Sequence, residues 1–240
     1  MNVEVALLPS MISPGSLRER SAVVLDVLRA TTTIATALAH GAAEVRTFPD
    51  LDTARAAAAG FDRPKLLAGE RQCVAPAGFD CGNSPREFTA DRVGGKAVFL
   101  STTNGTVALA AAKDAAVLLA GAVVNAMATA ARLERESRDV TLVCAGTQGA
   151  VSIEDLLCAG AVIGSLMRRG VDVKLESDAA EMALRMWKSS KARLVAAFKR
   201  TKGGQNVIAA GLAPDLDACA QLDAFDVVAV STADGRITRG

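Results

Sequence analysis

The 240-residue sequence contains no tyrosine and a single histidine, His40. With so few nitrogen ligands available, a bound metal is expected on oxygen atoms, which points to magnesium rather than zinc. The five cysteines (Cys73, Cys81, Cys144, Cys158 and Cys219) are odd in number, widely spaced and form no Cys-x-x-Cys pair, which excludes a disulfide framework and a structural zinc site. Neither sign of charge is in excess. The 27 Lys and Arg against 26 Asp and Glu leave a formal +1, without the positive field that non-specific nucleic-acid binding requires. No apolar run approaches the roughly 18 residues of a membrane span, because Arg29, Glu44, Lys113 and Glu154 interrupt the most hydrophobic stretches. The first residues carry no basic region and their apolar run stops at Pro9, so they do not read as a secretory signal. A soluble cytoplasmic protein with reduced thiols is expected, and half of its residues are apolar, ample for a packed core.

Three segments share one plan: a short apolar run, a turn rich in Thr, Gly or Ser, then an Ala-rich helical stretch. The first is Ala22–Asp26, then Arg29-Ala30-Thr31-Thr32-Thr33, then a helix to about Ala39 that stops at Gly41. The second is Ala97–Leu100, then Ser101-Thr102-Thr103-Asn104-Gly105-Thr106, then a helix over Val107–Lys113. The third is Val140–Cys144, then Gly146-Thr147-Gln148-Gly149, then a helix over about Ile153–Arg169. In that helix Ile153, Leu156, Leu157, Gly160, Ile163, Gly164 and Met167 repeat at the spacing of one buried face. Further strands are expected at Val3–Leu7, Glu44–Phe48, Lys65–Ala68, Val117–Ala120, Val171–Leu175 and Phe225–Val230, with helices at Leu51–Ala59, Val124–Ser137 and Asp178–Lys199. Residues 200–212 read as a turn-rich break. The alternation predicts an α/β protein of two similar lobes, intertwined or adjacent, with mostly parallel sheets flanked by helices. Residues 1–240 are taken as one unit, with a lobe boundary near 120–140.

In parallel α/β sheets the loops leaving the strand carboxyl ends share a crevice and bind anions. Loops of Thr, Asn, Gly and Arg suit phosphate, and Arg29 adds a bidentate donor. The plainer alternative is that Thr31–Thr33 and Asn104 cap helices and turn the chain. Asp26 ends a hydrophobic strand, where a carboxylate needs a metal, a partner such as Arg29, or a capping role. Ser152 to Asp155 matches a capping box, so Asp155 is assigned to the cap while Glu154 is left to face the crevice. His40, before Gly41, reads as a helix C-terminal dipole partner. Residues 69–86 are too rich in turn formers for a mere connector and supply Glu70, Arg71, Asp80, Asn83, Ser84 and Arg86.

Familiar phosphate chemistries are excluded by spacing. Gly94-Gly95-Lys96 has Ala90 where a P-loop needs glycine and Ala97 where it needs Ser or Thr. Arg86 lies five places after Cys81, one short of a cysteine-phosphatase loop, and Leu28 stands where a two-aspartate phosphotransferase has its second acid. Cys144-Ala145-Gly146-Thr147-Gln148-Gly149 lacks the first glycine of a dinucleotide loop.

Taken in order, Leu25–Thr33, Gly69-Glu70-Arg71, Gly78–Pro85, Thr102–Thr106, Cys144–Thr147, Ser152 and Glu154-Asp155 resemble the 2-phosphosulfolactate phosphatase family, over about residues 20–165. The resemblance implies an α/β enzyme of two lobes with its site between them. It further implies magnesium-dependent hydrolysis of 2-phosphosulfolactate to sulfolactate and phosphate, a step of coenzyme M biosynthesis in methanogens. The sequence departs from the pattern at Cys73, where the family usually has glycine. On this reading Asp26 and Glu154 hold magnesium and act in catalysis with Arg29, while Thr31, Thr32, Thr33, Thr103, Asn104, Gly105 and Thr106 surround the phosphoryl group. Asn83 and Ser84 contact substrate, and Arg71 meets its sulfonate or carboxylate. The alternatives are a phosphatase of another small phosphorylated hydroxy acid and a non-catalytic module for nucleotides or other anions. A homodimer is the base-rate assembly.

Overall fold

The computed structural model describes residues 1–232 and 234–240. Ten strands are described: β1 (Asn2–Ala6), β2 (Ser21–Leu25), β3 (Glu44–Phe48), β4 (Lys65–Gly69), β5 (Ala97–Ser101), β6 (Val117–Gly121), β7 (Val140–Cys144), β8 (Lys174–Leu175), β9 (Ala229–Ser231) and β10 (Arg236–Arg239). The helices are α1 (Ala30–Ala39), α2 (Leu51–Ala59), α3 (Ala90–Val93), α4 (Gly105–Ala111), α5 (Ala126–Glu136), α6 (Ile153–Arg168), α7 (Asp178–Ser190), α8 (Leu194–Phe198), α9 (Lys202–Ala209) and α10 (Pro214–Cys219). No helix among the described residues is long and apolar enough to cross a membrane.

All ten strands join one sheet in the order β4-β5-β3-β10-β9-β6-β2-β7-β1-β8. The pairs on either side are parallel, and the antiparallel junctions β3–β10, β10–β9 and β9–β6 lie between them. The chain runs through two like passages, β2-α1-β3-α2-β4 and β5-α4-β6-α5-β7. Each begins in one parallel block and sends its next two strands to the other, where they flank the strand that begins the other passage, so the two halves are interwoven through a single sheet. Residues 120–140 fall in β6, α5 and β7, within the second passage.

Strand β2 shows why the sheet is covered on both faces. All five of its residues are buried. Val23 and Leu25 join the core under α5 and α6, whereas Ala22 and Val24 join Ile34 and Leu38 of α1. This period of two on a fully apolar strand is what a parallel sheet between two helix layers requires.

Helix α6 has Leu157 and Ile163 fully inside, and a Cβ at Gly160 would overlap the carbonyl oxygen of Ala183 on α7. Its stripe ends sooner than the periodicity predicts. Ile153 and Met167, at its two ends, are exposed.

Three other readings of the carboxyl-terminal third are corrected. The helix expected over Asp178–Lys199 is broken by a 3-10 turn at Lys191–Arg193. The break expected at 200–212 holds α9, capped by Thr201, whose side chain accepts from Gly204 N at 3.0 Å. Strand β10, unforeseen, pairs with β3 and β9 and closes the centre of the sheet.

Candidate active site

The carboxyl ends of β2 and β7 from one block and of β4 and β5 from the other open on one cavity of about 700 Å³. Asp26, Arg29, Arg71, Asn83, Thr103 and Asn104 line it, together with Glu70, Gln72, Cys73 and Gln148. Two loops approach each other closely here. A Cβ at Gly105 would lie 2.6 Å from Asp26 Oδ2 and 2.5 Å from Ala30 Cβ, so the α4 backbone passes Asp26 only because this position is glycine.

The remaining sequence candidates support the cavity from behind. Thr31 Oγ1 donates to Asp26 O (2.9 Å), Thr32 Oγ1 to Val27 O (2.8 Å) and Thr33 Oγ1 to Asn83 O (2.9 Å), and all three residues are buried. The N–H groups of Ala30, Thr31 and Thr33 are also engaged, by Asp26 Oδ1, Asp26 O and Arg29 O. These threonines therefore brace the loop and hold Asn83; their hydroxyls do not ring the cavity as expected. Thr106 Oγ1 likewise donates to Thr102 O (2.8 Å). Ser84 Oγ donates to Asp215 Oδ1 (2.7 Å). Asn104 makes no cap bond through its side chain, and its Oδ1 accepts from Gln148 N at 3.2 Å, which ties α4 to the loop after β7.

Two carboxylates stitch the loops together. Asp155 accepts from Val27 N (2.9 Å) and Gly146 N (3.1 Å), joining the β2 and β7 loops. The capping box is not formed, since Ser152 caps nothing and its Oγ lies 2.6 Å from Thr147 Oγ1. Glu70 joins the other block in the same way, accepting from Thr103 N (2.7 Å) and Cys73 N (2.9 Å). His40 Nδ1 is 2.6 Å from Phe88 O, so its ring anchors residue 88 rather than only the end of α1.

Burial perturbs three neighbouring carboxylates, Asp26, Glu154 and Asp155. Burial, reinforced by the negative fields of Glu70 and Glu154, pushes Asp26 from 3.8 up to about 7, against an opposing hydrogen bond from Ala30 N and the charge of Arg29. Burial also raises Glu154 and, with the fields of Asp26 and Glu154, Asp155. Glu154 is 1% exposed, and among the described residues neither of its carboxylate oxygens has a hydrogen-bond partner. It sits against α9, where a Cβ at Gly203 would overlap Glu154 Oε1, and Gly203 itself lines the cavity. Asn83 Oδ1 is likewise buried without a hydrogen-bond partner among the described residues.

The cations differ. Arg29 is 3% exposed and gives one N–H to Asp215 Oδ2 (2.7 Å) and one to Cys73 O (2.8 Å). Arg71 donates to neutral oxygens, Glu70 O (2.7 Å) and Ser101 Oγ (3.3 Å). Two hairpin turns of like form flank the cleft, Arg71–Val74 and Thr147–Ala150, each closed by a pair of backbone bonds. Their central residues have positive φ: Gln72 at 54° and Cys73 at 68°, Gln148 at 54° and Gly149 at 79°. Such turns favour glycine at their second central position, so Cys73 stands where its counterpart Gly149 shows the unstrained choice.

Sequence reasoning missed Asp215 and Gly203. Both come from the segment beyond residue 200, and neither lies in a pattern that points to a cleft.

A crevice at the strand carboxyl ends, walled by buried acids and arginines, is the setting in which an α/β enzyme binds a charged ligand. The particular family follows from comparison. The family model for 2-phosphosulpholactate phosphatase matches residues 6–234, and the chain belongs to that family of phosphomonoester hydrolases. Similar proteins, each named a probable 2-phosphosulfolactate phosphatase, come from Synechocystis sp. (39% identity, 99% of both chains), Gloeobacter violaceus (39%, 100% of this chain and 99% of the other) and Synechococcus sp. strain JA-2-3B'a(2-13) (42%, 95% of both).

Proposed function

We propose that the protein is a magnesium-dependent phosphatase that hydrolyses 2-phosphosulfolactate to sulfolactate and phosphate. The observation that carries this reading is the pair of buried carboxylates without an ion-pair partner among the described residues: Asp26, which lines a cavity bordered by two arginines, and Glu154, which lies against Gly203 at its wall. Buried carboxylates need a compensating charge, and a hard divalent ion supplies it. Magnesium is commonly held by one or two carboxylates and keeps several waters, so two carboxylates suffice. Asp26 and Glu154 would hold the ion, which when bound polarises a phosphoryl oxygen and neutralises charge as the ester bond breaks.

The chain's own groups do the rest. The free N–H bonds of Arg29 and the side chains of Thr103 and Asn104 face the phosphoryl oxygens, and Asn83 Oδ1 accepts from a hydroxyl or water. Arg71, not engaged by a carboxylate, receives the sulfonate or carboxylate at the far end of the substrate. The attacking group is an activated water or Asp26 itself. Acid quench followed by borohydride reduction separates the two, because only the second leaves a reducible aspartyl phosphate. This reading belongs to a cytoplasmic enzyme acting on a small anion without nucleic acid or membrane, and light scattering tests the homodimer.

The test is phosphate release from a panel of phosphorylated hydroxy acids, with magnesium and with chelator. Release that is fastest with 2-phosphosulfolactate, stops on chelation and is lost in Asp26→Asn supports the proposal. Turnover indifferent to chelation removes the metal, a different preferred ester replaces the substrate, and nucleotide binding without hydrolysis of any ester replaces the enzyme.

A further inference from the structure

We infer that Asp215 is a positioning residue that aims Arg29 at the phosphoryl group; the inference rests on the function proposed above. Arg29 lies in the loop between β2 and α1, whereas Asp215 is brought in from α10, 186 residues away in sequence. Their side chains meet at 2.7 Å and are 2% and 0% exposed. A buried ion pair of this kind is weak as a source of stability, because two desolvated ions recover little more than an apolar pair of the same volume. What it does provide is direction.

Arginine carries five N–H bonds in a rigid fork on a flexible stem. Two of them are taken by Asp215 Oδ2 and Cys73 O. With the fork fixed at two points its plane is set, and its other three N–H bonds have no partner among the described residues, at a position that lines the cavity. Asp215 is itself held. Its Oδ1 accepts from Ser84 Oγ (2.7 Å), and its backbone N–H donates to Leu212 O (2.8 Å). The serine of the Asn83-Ser84 turn, Asp215 and Arg29 thus form a chain of contacts that ends at the cavity, while Asp215 itself is not among the residues lining it. Asp215 therefore acts through Arg29.

The test is a double-mutant cycle on the full-length protein, read by steady-state kinetics and by calorimetric binding of inorganic phosphate, with thermal melting in parallel. Asp215→Asn keeps the shape but replaces a charge-assisted bond by a neutral one, a loss worth about tenfold. Asp215→Glu is the rescue variant, and Arg29→Gln removes the fork. The expected result is a roughly tenfold fall in kcat/KM and a matching rise in the phosphate Kd for Asp215→Asn, with partial recovery in Asp215→Glu. In the Arg29→Gln background the same change should have less than about a twofold effect. Asp215→Asn protein that melts earlier but keeps the wild-type phosphate Kd and kcat/KM overturns the inference alone, as does an undiminished effect in the Arg29→Gln background. Wild-type protein that neither binds phosphate nor releases it from any ester overturns the proposed function and the inference with it.

Discussion

Replacing Asp26 by asparagine should make the metal-free protein more stable, increasingly so as pH rises from about 4 to about 7. Asp26 is displaced from 3.8 to about 7, chiefly by burial. A group that binds its proton more tightly folded than unfolded favours the fold at low pH, where it is protonated in both states. That contribution falls away as pH rises from the unfolded value near 4 to the folded value near 7, and is constant above it. At about 1.4 kcal/mol per pH unit, the interval makes the ionised Asp26 destabilising by on the order of 4 kcal/mol above pH 7. Asparagine keeps the shape and carries no charge. Urea unfolding in the presence of chelator, from pH 4 to pH 8.5, should therefore show the wild type and Asp26→Asn close together at pH 4 and separating steadily up to pH 7, with the variant the more stable. Magnesium at pH 8 should narrow the gap to between about 1 and 2 kcal/mol, since an ion at 100 times its Kd stabilises the wild type by about 2.7 kcal/mol and has lost a ligand in the variant. Parallel pH profiles for the two proteins, or a variant less stable than wild type at pH 8 in chelator, would refute the account of Asp26 as a buried carboxylate held against its preference.

Other substitutions probe separate parts of the site and core. Arg71→Met should lower kcat/KM by about 10- to 100-fold for a phosphate ester with a second anionic group, the worth of a charge-assisted contact, and change it little for an ester of an uncharged alcohol; equal losses on both would remove Arg71 from the far end of the substrate. Gly203→Ala drives a methyl group into Glu154 Oε1, so denaturant melts should show a loss of about 1–3 kcal/mol, and calorimetry should show weaker magnesium binding; unchanged magnesium affinity would separate α9 from the metal. Leu157→Ala in the fully buried middle of α6 should lower stability by about 2–5 kcal/mol without altering the magnesium requirement, and a smaller loss would mean that the space collapses.

Much of the site was legible because its parts lie where local pattern is informative. Asp26 follows an apolar strand and precedes a helix, Asn104 and Gly105 do the same in the second passage, and such loops open on a crevice wherever the strands are parallel. Glu154 was separable from Asp155 by the capping pattern, but the reason was different from the one the pattern suggests: Asp155 reaches across to Val27 and Gly146 instead of capping its own helix. The three threonines were read as a cradle because hydroxyls suit phosphate. Each hydroxyl instead finds a backbone carbonyl and all three residues are buried, with no side-chain cap on α1 and Thr33 reaching across to Asn83. Strand β10 escaped notice because Arg-Ile-Thr-Arg has too few apolar residues to mark a strand; its place depends on β3 and β9 being there to receive it.

Local order in this protein is set by its own neighbouring residues. Apolar runs of five, the turn formers after them and the Ala-rich helices that follow are short-range features, and they carry the α/β alternation and the loops that bear Asp26, Arg29, Asn104 and Glu154. Partnership is a different matter. That Asp215 clamps Arg29, that Gly203 admits Glu154, and that Cys73 offers its carbonyl to a guanidinium 44 residues away were decided only when the chain packed, because a contact between distant segments depends on where every intervening strand and helix comes to rest and leaves no periodic mark on either partner.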